Sequence, residues 1–297
     1  MGALVGLIRL SHPFPSLLNA LATAGIALLA GGDLATAARL GASMLCLQAS
    51  IGAVNDLADI EVDRLGKPAK PIPAGLVTPA VARGWAAGSL ALCLLLALPS
   101  GLATVLVAVA CVSLGYLYDL RLSRTALSWL PLALALPLLP VFAWLGARGD
   151  VPSELLTLLP IALLAGAALL VANGLVDVER DAAAGKPTVA VRLGWRRAWL
   201  AHLMVIVVAA LLALQLAPTV PATTHLQTGP TIAALRLLRG LGLPIGVLAL
   251  LAGAEIVSAR RPGIRERGWE LEAIGTAVIG LGWLAGIALL ESGGAAR

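Results

Sequence analysis

The chain has 297 residues, of which 59% are hydrophobic and 12% are charged, and its mean hydropathy is +0.94. Soluble domains carry roughly 25% charged residues, so this composition excludes a soluble fold and predicts a polytopic membrane protein. The net charge of +5 is dispersed, without the basic runs interleaved with aromatics that favour nucleic-acid binding. Three cysteines in apolar stretches indicate neither a disulfide framework nor a metal cluster.

Nine segments are long and apolar enough to cross a bilayer, which takes about 20 residues in a helix. In chain order they are residues 14–31, 35–56, 79–99, 101–118, 127–146, 154–176, 196–217, 231–257 and 269–290. Long unbroken apolar runs favour helices over barrel strands, in which apolar and polar residues would alternate. The predicted fold class is therefore all-α, with about nine transmembrane helices.

The distribution of basic residues predicts how these spans are oriented, because cytoplasmic loops are enriched in Lys and Arg. With nine spans and the N-terminus inside, the inner segments hold most of the 21 basic residues. We therefore expect the N-terminus in the cytoplasm, the C-terminus outside, and a polar outer loop over residues 218–230. The first residues contain Arg9 and His12 but no apolar core before a cleavage site, so no cleavable signal peptide is expected.

Two acidic motifs stand at the predicted inner ends of the second and sixth spans. Residues 55–63 read Asn-Asp-Leu-Ala-Asp-Ile-Glu-Val-Asp, and residues 173–181 read Asn-Gly-Leu-Val-Asp-Val-Glu-Arg-Asp. Their first, fifth and ninth positions agree, and a Gly-Lys-Pro sequence follows each motif within a few residues. The repetition predicts a single transmembrane domain built from two related halves of about four helices each, with a site at their interface. The halves span roughly 1–126 and 127–257, and an extra helix covers 269–290.

The spacing within each motif places its matching residues on one helix face, because positions four apart are neighbours on a helix. Like charges at this spacing destabilise a bare helix by a few tenths of a kcal/mol, and by more at a membrane boundary. Something positive is therefore expected to offset them. Carboxylate and amide oxygens suit Mg²⁺, which is usually held by one or two carboxylates together with substrate phosphates. The motifs thus predict divalent cations and a phosphorylated substrate.

Basic residues in the inner loops are predicted to contact a diphosphate, Arg through bidentate hydrogen bonds and Lys through a single charge. They are Lys67, Lys70, Arg121, Arg124, Lys186 and Arg192. The alternative, that each of them only sets the topology of the chain, stays open.

At these residues the chain resembles the UbiA-type superfamily of intramembrane prenyltransferases. The NDxxDxxxD motif of that family is matched by Asn55, Asp56, Asp59 and Asp63. The basic-Pro-Ile segment that follows is matched by Lys70, Pro71, Ile72, Pro73, Ala74 and Gly75. The second motif and its Thr-x-x-x-Arg-Leu-Gly segment are matched by Asp177, Asp181, Gly185, Thr188, Arg192, Leu193 and Gly194. Tyr118 and Arg124 fit the family's pattern after the fourth span, where Ser123 replaces the usual Lys.

The resemblance implies Mg²⁺-dependent transfer of a prenyl group from an isoprenoid diphosphate, with release of diphosphate. Two Mg²⁺ ions would be held by Asn55, Asp56, Asp59, Asp63, Asp177 and Asp181, and the five aspartates would be catalytic. The expected diphosphate contacts are Asn55, Arg64, Lys67, Lys70, Arg124, Asn173 and Lys186. Candidate contacts to the acceptor or to the allylic cation are Gln48, Tyr116 and Tyr118. Interhelical hydrogen bonding for Gln48 and an interfacial position for the tyrosines remain equally open.

The acceptor is the least determined part of the prediction. An aromatic or quinone-precursor acceptor within the membrane is the leading expectation. The alternatives are a non-aromatic acceptor, namely a glycerol phosphate ether, a phosphoribosyl group or a chlorin, and terpenoid cyclisation without an acceptor. A cation-coupled transporter is the alternative from a different class, since repeats and intramembrane acids also fit that function. Against it, the acids stand at the inner boundary and not at the middle of the membrane.

Overall fold

A computed structural model describes residues 2–220 and 229–294, except for the side chains of the last two residues of the second range. The structure is 82% helical, and the described residues contain no strand. The all-α prediction is therefore confirmed. The predicted polar loop over 218–230 lies largely outside the described residues.

Fourteen α-helices occur within the described ranges. In chain order they are α1 (Gly2–Leu10), α2 (Pro13–Leu29), α3 (Leu34–Ala58), α4 (Ile60–Gly66), α5 (Pro79–Ala97), α6 (Leu102–Leu117), α7 (Leu130–Ala135), α8 (Leu138–Arg148), α9 (Ser153–Val176), α10 (Val178–Ala183), α11 (Val189–Leu193), α12 (Trp195–Gln215), α13 (Pro230–Val257) and α14 (Pro262–Gly294). A 3₁₀ turn at Leu98–Ser100 extends α5, and a π-helix at Tyr118–Leu122 extends α6.

Eight helical stretches of the described chain are long and apolar enough to cross a membrane. They are α3, α5 with its 3₁₀ turn, α6 with its π-helix, α7 with α8, α9, α12, α13, and α14 up to Ser292. A ninth span is present if α1 and α2, which meet at an angle of 61°, count together. The predicted first span at 14–31 corresponds to α2, which begins at Pro13 and has 17 residues.

The bend between α1 and α2 lies at His12. Its φ of 48° makes it the one non-glycine residue with a positive φ in the described part of the chain. This left-handed conformation costs roughly 1–2 kcal/mol, so neighbouring contacts must hold it. The Oγ of Ser16 donates a hydrogen bond to the backbone oxygen of Ser11, and the Trp85 indole donates to the Ser11 hydroxyl. The bend turns the His12 side chain towards the end of α3.

Both acidic motifs are interrupted at their central aspartate, which corrects the prediction of one regular helix face for each motif. Asp59 separates α3 from α4 with φ −102° and ψ 10°, and Asp177 separates α9 from α10 with φ −104° and ψ 8°. Aspartate favours such positions because its side chain competes for backbone hydrogen bonds within a helix. The same break at equivalent positions supports the proposal of two related halves.

The last two long helices, α13 and α14, pack antiparallel along a line of glycines. A Cβ atom on Gly275 would lie 2.8 Å from the backbone oxygen of Gly246, and one on Gly268 would lie 2.8 Å from that of Gly253. Both distances are far below van der Waals contact, so only glycine allows the backbones to approach this closely. Small residues serve this purpose in membrane helix packing generally.

The main apolar core joins the two predicted halves. Leu40 of α3 and Trp144 of α8 belong to the same buried cluster as Ile206 of α12 and Trp283 of α14. The acidic motifs lie at one end of this core, where α3 and α9 terminate.

Candidate active site

One cavity of about 1180 Å³ lies between the two acidic motifs. Its wall is formed by the start of α2, the ends of α3 and α9, the loops that follow them, the π-helix after α6, and α14. Eleven of the residues singled out in the sequence line it: Gln48, Asn55, Asp59, Asp63, Lys67, Lys70, Tyr118, Asn173, Asp177, Asp181 and Lys186. The fold therefore brings two motifs that are distant in sequence to a single site.

The central aspartate of each motif forms an ion pair with a lysine from the other half of the chain. The Nζ of Lys186 lies 3.1 Å from Oδ2 of Asp59, and the Nζ of Lys67 lies 2.7 Å from Oδ2 of Asp177. Both lysines belong to the Gly-Lys-Pro sequence that follows their own motif. The loops thus cross over the cavity reciprocally, and each supplies charge to the opposite motif.

Arginines complete the pairing of these two aspartates. Arg124 donates to Oδ1 of Asp59 at 2.9 Å and to the backbone oxygen of Ala58 at 3.0 Å. Arg180 donates to Oδ1 of Asp177 within the second motif. Every carboxylate oxygen of Asp59 and Asp177 therefore has a cationic partner.

Lys70 bridges the other two acids of the first motif. Its Nζ lies 2.8 Å from Oδ1 of Asp56 and 2.7 Å from Oδ2 of Asp63. The side chains of Asp56 and Asp63 are only 1% and 6% exposed. His12 also contacts Asp56, with 3.0 Å between its Nε2 and Oδ1. Such burial requires paired charges, because an unpaired buried carboxylate is strongly disfavoured.

Burial and neighbouring charges compete in setting the pKa values of Asp59, Lys70 and Asp181. Burial disfavours the charged form of Asp59, but Lys186 and Arg124 outweigh it and hold the pKa of Asp59 below its usual value. Burial likewise opposes the charge of Lys70, yet Asp56 and Asp63 raise its pKa. For Asp181, burial dominates over the opposing charge of Lys186 and raises its pKa to about 6.

Two contact residues of the cavity, His12 and Asp119, are absent from the predicted set. Asp119 lies in the π-helix after α6, and its Oδ1 accepts a hydrogen bond of 2.8 Å from the Nδ2 of Asn55. It is 5% exposed, and its Oδ2 has no hydrogen-bond partner. The sequence does carry a signal, since an acid directly at the end of an apolar span marks a functional position.

The predicted site residues that do not line the cavity include Asp56, Arg64, Tyr116 and Arg124. Arg64 does not line the cavity: it pairs with Glu61 of its own helix turn at 3.1 Å, and both side chains are largely exposed. Tyr116 lies away from the cavity wall, and its hydroxyl is 2.7 Å from the Ser50 hydroxyl, so it forms a hydrogen bond between helices, which is neither of the two roles expected for it. Gln48 lines the cavity, where its amide makes only a long contact with the sulfur of Met44, at 3.8 Å.

A second, apolar cavity of about 120 Å³ lies deeper in the helix bundle. Leu18 of α2, Leu169 of α9 and Ala273 of α14 line it, about one helical turn beyond residues of the same helices that line the larger cavity. Its wall is apolar except for Asn19 and Thr276. A narrow apolar space therefore lies beyond the charged site, towards the membrane interior.

Comparison with known proteins identifies the family. The family model of the UbiA prenyltransferase family matches residues 16–261. The chain belongs to the UbiA prenyltransferase family. Among its relatives, a digeranylgeranylglyceryl phosphate synthase of Methanopyrus kandleri is 33% identical over 63% of this chain and 69% of its own length. A protein of the same name from Hyperthermus butylicus is 31% identical over 68% of this chain and 72% of its own length.

Solved structures share the fold at low sequence identity. A UbiA homologue from Archaeoglobus fulgidus, bound to DMAPP and Mg²⁺, has a TM-score of 0.64 and 22% identity, covering 92% of this chain and 99% of that one. The apo structure of a UbiA homologue from Aeropyrum pernix K1 has a TM-score of 0.65 and 19% identity, covering 90% and 96% of the two chains.

Family membership confirms three predictions. The protein is a UbiA-type prenyltransferase, it is an integral multi-pass membrane protein, and it is an enzyme and not a transporter. The orientation of its termini stays a prediction.

The oxygen donors of the cavity fit a divalent cation that arrives with a phosphorylated substrate. No three His, Cys, Asp or Glu side chains of the described chain are close enough to form a metal site by themselves. Mg²⁺ rarely uses an all-protein cage, however, and usually combines one or two carboxylates with phosphate oxygens and water. The buried Oδ2 of Asp56, which does not line the cavity, and the buried Oδ2 of Asp119, which belongs to its wall, both lack a hydrogen-bond partner.

Proposed function

We propose that this enzyme transfers a prenyl group from an isoprenoid diphosphate to the hydroxyl of a glycerol phosphate ether. One observation carries the proposal: two acidic motifs face each other across one cavity, and lysines from both halves lie on their carboxylates. Carboxylates and lysines in one site suit a complex of a divalent cation with a diphosphate. The carboxylates can bind the cation, and the lysines can bind the diphosphate.

The cation-binding residues are assigned by motif. We assign one Mg²⁺ to Asn55, Asp56, Asp59 and Asp63 and a second to Asp177 and Asp181. Bound Mg²⁺ would neutralise negative charge on the departing diphosphate. Asp59 and Asp177 occupy the helix breaks, so each turns its carboxylate out of the regular helix and into the cavity.

The lysines are proposed to bind the diphosphate. Lys67, Lys70 and Lys186 each lie within 3.2 Å of a motif carboxylate. Once the carboxylates are neutralised, these ammonium groups become available to donate to diphosphate oxygens. Arg124 acts beside them through its contact with Asp59, whereas the exposed Arg64 is withdrawn from the set.

The apolar tail of the donor is assigned to the deeper cavity. Prenyl chains are hydrocarbon, and each buried CH₂ contributes about 0.8 kcal/mol. Leu18, Ala165 and Leu169 form an apolar wall directly beyond the charged site. With the diphosphate at the motifs and the tail in this space, the reacting allylic carbon lies at the border between them, where water is excluded.

The nature of the acceptor is inferred from the relatives. The relatives from Methanopyrus kandleri and Hyperthermus butylicus are named digeranylgeranylglyceryl phosphate synthases, a name that implies two prenyl chains on one glyceryl phosphate. This favours the glycerol phosphate ether alternative over the aromatic or quinone-precursor acceptor, which is the leading expectation from the sequence. The proposed acceptor therefore already carries one prenyl ether and offers a free hydroxyl.

The reaction is a substitution at the allylic carbon. The bond between that carbon and the diphosphate oxygen breaks, and the electron pair leaves with diphosphate. The acceptor hydroxyl oxygen forms the new carbon–oxygen bond and loses its proton, which the released diphosphate takes up. The lysines stabilise the released diphosphate electrostatically, in the way that fixed charges stabilise developing anions in other active sites.

The experiment is product analysis with purified protein in lipid nanodiscs. Geranylgeranyl diphosphate and Mg²⁺ are supplied with either geranylgeranylglyceryl phosphate or 4-hydroxybenzoate, and diphosphate release and product masses are measured. We expect Mg²⁺-dependent release and a diether mass with the glyceryl phosphate acceptor only. A prenylated benzoate would contradict the proposed acceptor and support an aromatic one. Diphosphate release without any prenylated product would indicate cyclisation or hydrolysis in place of prenyl transfer.

A further inference from the structure

Asp119 is a buried carboxylate on a helix that carries neither acidic motif. It lies in the π-helix that follows α6, where the N–H of Ser123 donates to the oxygen of Tyr118 across five residues at 2.8 Å. Single π turns inside α-helices occur frequently at functional sites. Here the turn places Asp119 in the wall of the charged cavity, beside the end of α3.

The hydrogen bond between Asp119 and Asn55 fixes how the Asn55 amide faces. The NH₂ end of the amide donates to Oδ1 of Asp119 at 2.8 Å, which is the orientation that an ionised carboxylate requires, since it can only accept hydrogen bonds. The carbonyl oxygen of Asn55 then points away from Asp119. Asn55 itself lines the cavity, so this oxygen is the end that a cation would meet.

The second oxygen of Asp119 has no hydrogen-bond partner, and the residue is 5% exposed. A bare carboxylate oxygen in such a position is unfavourable unless positive charge lies nearby. Lys70, which follows the first motif, forms its ion pairs with Asp56 and Asp63 and not with Asp119. A cation bound by Asn55 would favour the ionised form of Asp119, because a nearby positive charge stabilises a buried carboxylate, and that negative charge would then act on the cation.

We propose that Asp119 is a positioning residue that acts through Asn55: it holds the Asn55 oxygen towards the cation of the first motif and strengthens it with its negative charge. The arrangement is analogous to the carboxylates that stand behind metal-bound histidines, whose loss weakens metal binding by 10–100-fold. This inference rests on the proposed function, because it requires that a cation binds at the first motif.

A second acid shows that burial alone does not create this role. Glu272 of α14 is also buried, with one oxygen paired to His202 at 2.9 Å and the other without a partner. Glu272 does not line the charged cavity, however, and its partner is a histidine on α12. It therefore serves as the matched control for removing one buried carboxylate.

The test is Mn²⁺ binding to the purified protein, followed by electron paramagnetic resonance in the presence of inorganic diphosphate. Asp119→Asn keeps an amide oxygen that can accept from Asn55 and removes the charge. We expect it to raise the Kd for Mn²⁺ about tenfold or more, whereas Glu272→Gln leaves the Kd unchanged. The exchange variant Asn55→Asp/Asp119→Asn restores one charge to the same pair, and we expect its Kd within about threefold of wild type.

The outcomes separate the inference from the proposed function. An unchanged Kd in Asp119→Asn, with a folded protein by thermal unfolding, overturns the inference and leaves the proposed function standing. A raised Kd that the exchange variant does not restore also overturns the inference. If Asp119 acts through residue 55, a carboxylate placed at position 55 itself should substitute for it. Wild-type protein without saturable Mn²⁺ binding overturns both.

Discussion

The Nζ of Lys186 lies 3.1 Å from Oδ2 of Asp59, although 127 residues separate them in the chain. The reverse contact, Lys67 with Asp177, spans 110 residues and closes the other side of the same cavity. Because both pairs join opposite halves, part of the charge of each motif is balanced only when the two halves are packed together. Lys70 and Arg180 neutralise further charge from within their own halves.

Replacing the central aspartates tests the cation assignment. Asp59→Asn or Asp177→Asn removes a proposed ligand charge, so we expect turnover to fall by more than the roughly 10–100-fold typical of outer-shell changes. Glu61→Gln is the control, because its side chain belongs to the first motif but is 81% exposed. The measurement is diphosphate release by membranes that contain equal amounts of each variant. Equal activity in Asp59→Asn and Glu61→Gln would contradict the assignment.

Removal of Lys186 tests the proposed diphosphate contact. Hydrogen bonds to charged groups contribute about 1.5–3 kcal/mol, so we expect Lys186→Met to raise the KM for the donor about tenfold or more. The KM for the acceptor should change little, since the ammonium group is assigned to the donor. Arg64→Met provides the comparison, because Arg64 does not line the cavity and its side chain is 61% exposed. A donor KM equal to that of wild type would leave Lys186 as a topology signal alone.

Filling the deeper cavity tests where the donor tail lies. Ala209 of α12 lines this cavity and is 3% exposed, whereas its neighbour Val208 is 42% exposed on the outer face of the helix. Overpacking costs about 1–3 kcal/mol, so Ala209→Phe should shift the kcat/KM ratio of geranylgeranyl to geranyl diphosphate roughly tenfold towards the shorter donor. Val208→Phe should keep the wild-type ratio. The tail assignment is wrong if both variants behave alike.

The glycine line between α13 and α14 makes a prediction about stability. Gly→Ala in a helix is intrinsically stabilising by roughly 0.5–1 kcal/mol. At Gly275 the added Cβ would lie 2.8 Å from the Gly246 oxygen, so Gly275→Ala should instead destabilise by about 1–3 kcal/mol. Gly280 of the same helix has open space around its Cβ position, so Gly280→Ala should not lower the midpoint. Thermal unfolding in detergent measures both, and a raised midpoint in Gly275→Ala would refute the close packing.

The sequence predicts the helical spans and the two motifs well, because both depend on local patterns. Apolar runs define spans whose observed bounds differ by a few residues, and an aspartate cluster at a span end is visible without any partner. Even so, the breaks at Asp59 and Asp177 interrupt the expected helix face. A periodic pattern extends a helix through a motif, whereas aspartate favours helix ends.

The partners of the charged residues are not visible in the sequence. Positive charge near the motifs is expected, but the exchange of Lys67 and Lys186 between halves depends on how α3 and α9 meet. Asp119 and His12 enter the site through a π turn and a strained bend, which result from packing and not from composition. The position of Arg64 next to Asp63 predicts a place at the site, yet a nearer acid on the exposed side pairs with it.

The π turn at Tyr118–Leu122 also makes the chain sensitive to its length at this point. Leu120 is 60% exposed, so replacing its side chain should be tolerated. The wide turn holds one residue more than an α-helical turn, so deleting Leu120 removes the surplus and lets the segment close as a regular α-helix, in which the residues beyond it keep their direction. What the deletion changes is the wide turn itself, which carries Asp119 and its contact with Asn55. A single-codon deletion, with every charged side chain of the site still encoded, would therefore separate the contribution of this turn from that of the residues around it.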